Sequence, residues 1–298
     1  MSEIDVDKIQ SVSELKSILL SEESGIRPRM NCLFRLRTIA TMECVLALEE
    51  ALIKEKSSDL LRHEVCYVFG QMTSTEENKA EIQSFLTKEV FEDPNKYTPI
   101  VLHEAAEALG NINFEQNKTL LEKFINSPLD IIKETCEISI ANLDWMIKTK
   151  NGESEGLLDL KLIYKTNDPA PPFNYKKETK YADLQYLSKV MHDTNESMFD
   201  RYRVIFTLRE LNSDSAVKVL CESFDKNKEK IFSPLFKHEV CFILGQMASN
   251  AKSAVSALEE VILLLVILIF DFYYFYINFI LLLYYFYIIF INLLIFRY

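Results

Sequence analysis

The chain has no excess of positive charge, no CxxC spacing among its six cysteines, no stretch that alternates polar with apolar residues, and only four histidines in 298 residues. Each absence narrows the reading. With 33 basic against 44 acidic residues the formal charge is -11, so the basic patch that phosphate neutralisation needs is missing and nucleic acid is excluded as a ligand. Such a surface suits a basic protein partner or a cationic substrate, through electrostatic steering. Without CxxC pairs, Cys32, Cys44, Cys66, Cys136, Cys221 and Cys241 read as small core residues of a reducing compartment. The start, Met-Ser-Glu-Ile-Asp-Val-Asp, is acidic and has no signal-peptide pattern, so the expected location is the cytoplasm. The lack of alternation leaves helices. Val65, Val68, Phe69 and Met72 fall at i, i+3, i+4 and i+7, one face of a helix.

Against that background the histidines stand out, because three of the four are followed by glutamate. Arg62-His63-Glu64-Val65-Cys66-Tyr67-Val68-Phe69-Gly70-Gln71-Met72 returns as Lys237-His238-Glu239-Val240-Cys241-Phe242-Ile243-Leu244-Gly245-Gln246-Met247, an offset of 175. Between them lies Leu102-His103-Glu104-Ala105-Ala106-Glu107-Ala108-Leu109-Gly110. Upstream, Arg29, Phe34, Leu36, Arg37, Val45 and Leu48 align with Arg201, Phe206, Leu208, Arg209, Val217 and Leu220, an offset of 172. The second half thus repeats the first. Within the first half, His63-Glu64, His103-Glu104 and Lys133-Glu134 open similar apolar helices, Lys133 marking a repeat whose first position has lost its ligand. Units of this size made of paired helices predict an all-α fold, an α-solenoid in two pseudo-symmetric halves. Gly70, Gly110 and Gly245 are expected near helix ends, where a left-handed cap is favoured.

Four segments follow: an N-terminal half over 1–147, a proline-containing linker over 148–183, a truncated C-terminal half over 184–260, and an apolar tail over 261–298. The linker holds Asn167-Asp168-Pro169-Ala170-Pro171-Pro172, which forbids helix and suits an extended spacer that sets how the halves face each other.

Imidazole and carboxylate on neighbouring helices are the ligand set of a non-haem iron or related metal site. Successive helical residues are about 100° apart, so His(i) and Glu(i+1) can border one face. Four such pairs would hold two irons between the halves and leave positions open for oxygen chemistry. His63, Glu64, His103, Glu104, His238 and Glu239 are the candidate ligands. His192 has no counterpart in the repeat and is expected at the surface. Cys66 and Cys241 lie on the apolar run and are expected to fill the core.

These residues resemble deoxyhypusine hydroxylase, a family of di-iron monooxygenases built of HEAT-like helical hairpin repeats. The resemblance covers roughly residues 25–260. It rests on Arg-His-Glu-Val at 62–65, Leu-His-Glu-Ala-Ala-Glu-Ala-Leu-Gly at 102–110, Lys-Glu-Thr-Cys-Glu at 133–137, Asp-Pro-Ala-Pro-Pro at 168–172, Arg-Tyr-Arg at 201–203, Phe-Thr-Leu-Arg at 206–209 and Lys-His-Glu-Val-Cys at 237–241. It implies Fe(2+) as cofactor, two ions in a complete member. Molecular oxygen would be the co-substrate and deoxyhypusine-bearing translation initiation factor 5A the protein partner. It further implies that ligands cross between the halves, His63 and His103 with Glu239 on one iron and His238 with Glu64 on the other. Glu104 would lie close to the irons or the substrate, as a catalytic candidate. The different-class alternative is a non-catalytic HEAT-repeat binding scaffold.

The pattern breaks after Glu260. A fourth pair is expected near 271–278, which reads Asp271-Phe272-Tyr273-Tyr274-Phe275-Tyr276-Ile277-Asn278, and no histidine follows His238. From Val261 the only charges are Asp271 and Arg297. Three readings compete: a membrane anchor, since Phe272–Phe296 is long enough to span a bilayer; a divergent inactive scaffold; or translated non-coding sequence from an AT-rich gene. The abrupt loss of small and charged residues in mid-repeat favours the last, and membrane association is expected only if the tail is genuine. The spliced transcript is then expected to resume with codons for a His-Glu pair.

Overall fold

In a computed structural model of the chain, residues 6–153, 156–157, 160–228 and 230–259 are described. The expected fourth pair and the whole apolar tail lie outside them. No helix among the described residues is long and apolar enough to cross a membrane. These residues are helical, with no strand among them. They fall into two compact units, one up to Ile147 plus Thr166–Pro169, the other Lys148–Lys165 plus the residues from Ala170 on.

The first unit stacks helices as hairpins. They are α1 (Val12–Leu20) with α2 (Ile26–Ile39), α3 (Met42–Lys54) with α4 (Asp59–Gln71), α5 (Glu76–Leu86) with α6 (Pro99–Ile112), and α7 (Gln116–Leu121) with α8 (Asp130–Lys150). Side chains mark the starts. The Ser11, Ser58 and Thr75 hydroxyls accept from the backbone N–H groups of Glu14, Leu61 and Asn78, occupying donors that a helix start leaves open. Pro99, which has no N–H to satisfy, opens α6. Successive hairpins pack α2 on α4 and α4 on α6 in one row, α1 on α3 and α3 on α5 in the other. The α4–α6 contact is the most extensive. Val65, Val68, Phe69 and Met72 are all within 1 % of complete burial, as their spacing predicts. Five of the six cysteines are buried and none is in a disulfide. Burial pushes the Cys136 thiol up to about 12 and the Cys32 and Cys221 thiols up to about 11, so they are inert core fillers.

The second unit repeats the plan with α9 (Leu184–His192), α10 (Met198–Leu211), α11 (Asp214–Cys221) and α12 (Pro234–Met247). Ile26–Ile39 returns as Met198–Leu211, and the left-handed residue that ends each helix returns too, as Ala40 and Asn212. Side-chain bonds repeat with the same offset. Arg29 Nε donates to Leu19 O at 2.7 Å, and Arg201 Nε donates to Met191 O at 2.9 Å. The Arg29 guanidinium also pairs with Glu55. Glu55 in turn accepts from the Ser57 and Ser58 backbone N–H groups at 2.6 and 2.8 Å. That buried pair fixes the turn from which α4 starts.

One expectation is corrected in part. Gly70, Gly110 and Gly245 lie in the last three residues of α4, α6 and α12, near helix ends as expected, but none has a positive φ and none caps its helix. The left-handed positions are taken by Ala40, Asn113 and Asn212. What Gly70 and Gly110 provide is close approach. A Cβ on Gly70 would stand 3.1 Å from Ala108 Cα on α6, and one on Gly110 would stand 2.8 Å from Ser139 Cβ on α8. Gly110→Ala is therefore expected to overpack the α6–α8 contact. It should cost about 1–3 kcal/mol despite the better helix propensity of alanine, seen as a lower urea midpoint. Pairing it with Ser139→Gly should recover part of the loss.

The linker prolines are not helical, as expected. Thr166–Pro169 is packed into the first unit rather than standing off it. Asn167 donates from its backbone N–H to Gln71 Oε1 at 2.9 Å, and its carbonyl accepts from Gln71 Nε2 at 2.8 Å. Its side-chain amide donates to Gly70 O at 2.9 Å and Thr73 Oγ1 at 2.7 Å. One linker residue thus reads the end of the helix that carries His63. On the second unit, Phe173 N donates to Thr207 Oγ1 at 2.8 Å and Ile163 N to Glu210 at 2.7 Å.

Candidate metal centre

Each His-Glu pair sits at the same height on its helix. His63, His103 and His238 are fifth from the first residue of α4, α6 and α12. On α8 that fifth position is Glu134, not Lys133. Lys133 is exposed, whereas His63 and His103 are 0 % and 1 % exposed. The packing agrees: Gly70 meets Ala108, five residues after His103, and Gly110 meets Ser139, five residues after Glu134. The position on α8 equivalent to His63 and His103 is therefore Glu134, a carboxylate, rather than Lys133.

The close α4–α6 contact places two imidazoles next to each other in the first unit. The His63 and His103 rings lie 5.3 Å apart between centroids, tilted by 47°. Glu104 reaches both: its Oε2 is 3.1 Å from His63 Nε2 and 3.8 Å from His103 Nε2. Glu64 Oε1 is 3.1 Å from His63 Nδ1. From α8, Thr135 donates its hydroxyl to Ile131 O at 2.8 Å and turns a lone pair toward His103 Nδ1, 3.5 Å away. That favours the His103 tautomer protonated at Nδ1, with the Nε2 lone pair on the Glu104 side.

The electrostatics favour a cation. Burial alone would lower the His63 pKa, but Glu104 and then Glu64 outweigh it and raise it well above the usual imidazole range. Two buried carboxylates without a positive charge between them would be costly, so a proton on His63 occupies the role that a metal ion can take. His103, Glu104 and Glu107 each offer a ligand atom within 4.8 Å of the others. The donors are imidazole and carboxylate only, the type suited to iron. Cys66 is one turn away, but burial, with Glu104 adding to it, holds its thiol well above the usual range, so it packs rather than ligates.

In the second unit, α12 carries a buried Glu239 and a half-buried His238. His192 is half-buried rather than at the surface. Its Nδ1–H donates to Ser188 O at 2.8 Å, and its Nε2 accepts from Lys228 Nζ at 2.9 Å, with the ring edge against Phe232. Glu107 is the residue the sequence reading passed over. The signal was present as His103-Glu104-x-x-Glu107, since i, i+1 and i+4 share one helix face, but a glutamate on an amphipathic helix reads first as a solvated side chain.

No protein-family model matches the chain. Its sequence is similar to the deoxyhypusine hydroxylases of Kluyveromyces lactis, 35% identical over 87% of this chain and 77% of the relative, and of Candida albicans, 33% identical over 83% and 75%. It is 32% identical to the zebrafish (Danio rerio) enzyme over 85% of this chain and 76% of the relative. A solved structure of human deoxyhypusine hydroxylase in complex with glycerol superposes with a TM-score of 0.69, at 27% identity, over 86% of this chain and 79% of that one.

Proposed function

Given that this chain belongs to the deoxyhypusine hydroxylase family, we propose that its His-Glu pairs hold iron for the family's reaction, hydroxylation of the deoxyhypusine side chain of translation initiation factor 5A. The observation that carries this is the convergence of His63 Nε2 and His103 Nε2 on Glu104 Oε2, all three side chains being buried in the first unit. In that unit His63, Glu64, His103 and Glu104 are the residues that would hold metal. In the second unit the ligand role falls to His238 and Glu239. When bound, iron supplies the activation of molecular oxygen that the hydroxylation consumes.

The protein's own contribution is placement. Gly70 lets α4 and α6 approach until the two rings share one carboxylate. Thr135 supports the orientation of His103, as outer partners of metal-binding imidazoles do. The apolar packing of Val65, Leu61, Ala105 and Ala106 around the pairs keeps water from the first unit's site. The net acidity of the chain draws in a cationic side chain. The cytoplasm, where factor 5A works in translation, is the location we assign.

The test is to supply iron, a reductant and deoxyhypusine-bearing factor to a version in which a fourth His-Glu pair is restored, and to measure hypusine. Product is expected, and removal of metal by a chelator should abolish it. Binding of the factor with no turnover and no stoichiometric metal would instead support the scaffold reading.

A further inference from the structure

The segment Thr166–Pro169 belongs to the first unit, although it lies beyond the last of that unit's helices in sequence. Its Asn167 is bonded to the ends of both helices that carry the paired imidazoles. On α4, the side-chain amide donates to Gly70 O at 2.9 Å and to Thr73 Oγ1 at 2.7 Å, just past the helix end. The Asn167 backbone exchanges two further bonds with the Gln71 amide. Gly70 is among the last four residues of α4, whose carbonyls have no donor within the helix, so Asn167 supplies one. On α6, Asn111 Nδ2 donates to the same Asn167 carbonyl at 3.2 Å. Asn111 Oδ1 in turn accepts from Asn142 Nδ2 of α8 at 3.4 Å. These bonds sit where α4 and α6 come closest. A Cβ on Gly70 would stand 3.1 Å from Ala108 Cα and 3.5 Å from Asn111 Nδ2. His63 precedes Gly70 by seven residues, about two turns and about 10 Å along the same face.

We infer that Asn167 is a positioning residue for the His63–His103 pair: it ties the end of α4 to the end of α6 and so sets the separation at which the two rings stand 5.3 Å apart. The part of this that concerns metal rests on the functional reading above. A contact built on glycine permits close approach but does not enforce it, because Gly70 has no side chain to interlock with Ala108. Dispersion at such a contact is weakly directional, and the helices can slide or splay at little cost. Hydrogen bonds are directional, and Asn167 makes them to both helices from a third segment. A change of tilt at Gly70 is carried along the rigid helix to His63. Imidazoles that share one carboxylate depend on that alignment, and loss of the partners that orient metal ligands lowers affinity about 10- to 100-fold.

The experiment uses the full chain with isotope-labelled histidine, since four histidines give few ring signals. It compares the parent with Asn167→Ala, Thr73→Val and Asn78→Ala. Asn78 is a matched control: its Nδ2 donates to Ala40 O at 2.9 Å, at the end of α2, so its removal deletes an equivalent bond at another helix. Two quantities are read. One is the ring-proton nuclear Overhauser effect between His63 and His103 in the metal-free chain. The other is the affinity for Co(II), the probe metal, followed by its visible absorption. Asn167→Ala is expected to weaken the ring-to-ring effect, to lower Co(II) affinity about tenfold and to change the shape of the absorption bands. Thr73→Val removes one acceptor of Asn167 at a half-buried site, so it tests the same tie with less risk to folding. It should shift both quantities the same way by a smaller amount, and Asn78→Ala should leave both unchanged. Unchanged ring contact in Asn167→Ala and Thr73→Val overturns the inference. Equal losses in Asn78→Ala assign the effect to general stability and also overturn it, as does a parent with no ring-to-ring effect. A parent that shows the ring contact but takes up no Co(II) sinks the metal reading alone; a weakened contact in Asn167→Ala then still upholds the positioning role.

Discussion

Replacing His63 with Ala is expected to lower iron affinity by about 100-fold or more, since loss of even an outer partner of a metal ligand costs 10- to 100-fold. His63 is fully buried, with a Glu64 oxygen 3.1 Å from its Nδ1 and a Glu104 oxygen 3.1 Å from its Nε2. Its removal therefore does more than subtract one ligand. Two buried carboxylates are left facing a gap with no charge to balance them, and breaking a buried pair of this kind costs about 3–5 kcal/mol. The metal-free variant should thus melt at a lower temperature than the metal-free parent, and added iron should restore less of the loss. Elemental analysis and a thermal melt with and without iron check both parts. Unchanged metal stoichiometry in the variant would rule out a ligand role for His63.

The second large effect concerns the missing pair. On the proposed reading the hydroxylation uses two irons held by four His-Glu pairs, and the sequence carries three such pairs. The 298-residue chain is expected to turn over deoxyhypusine-bearing factor at least about 100-fold more slowly than a version carrying the fourth pair, a difference of about 2.7 kcal/mol in barrier. Side-by-side assays with the same iron, reductant and substrate decide it. Comparable turnover would mean that three pairs suffice.

Much of this was legible in the residues. The histidines were rare and repeated, so their pairing with glutamate was visible without structure, and the offsets of 172 and 175 reappear as matching helices and matching Arg29 and Arg201 bonds. What the letters could not show was tertiary. A glycine at the end of an apolar run looks like a cap, yet Gly70 and Gly110 are needed for what lies across from them, Ala108 and Ser139. Whether Lys133 or Glu134 fills the third ligand slot depends on where α8 begins and on which side chain faces in, and only packing decides that. Glu107 was hidden for the opposite reason: its nearness to His103 follows from the i+4 spacing on one helix, but its residue type suits an exposed helix face. Asn167 looked like part of a plain spacer because its partners, Gln71 and Thr73, are far away in sequence.

The most direct measurement is the iron bound per chain after anaerobic reconstitution and removal of excess metal. About two irons are expected in the version with the fourth pair restored and about one or fewer in the 298-residue chain, since an iron left with one imidazole and one carboxylate is under-ligated. Equal iron in the two, or no stoichiometric iron in either, would contradict the assignment of the His-Glu pairs as metal ligands.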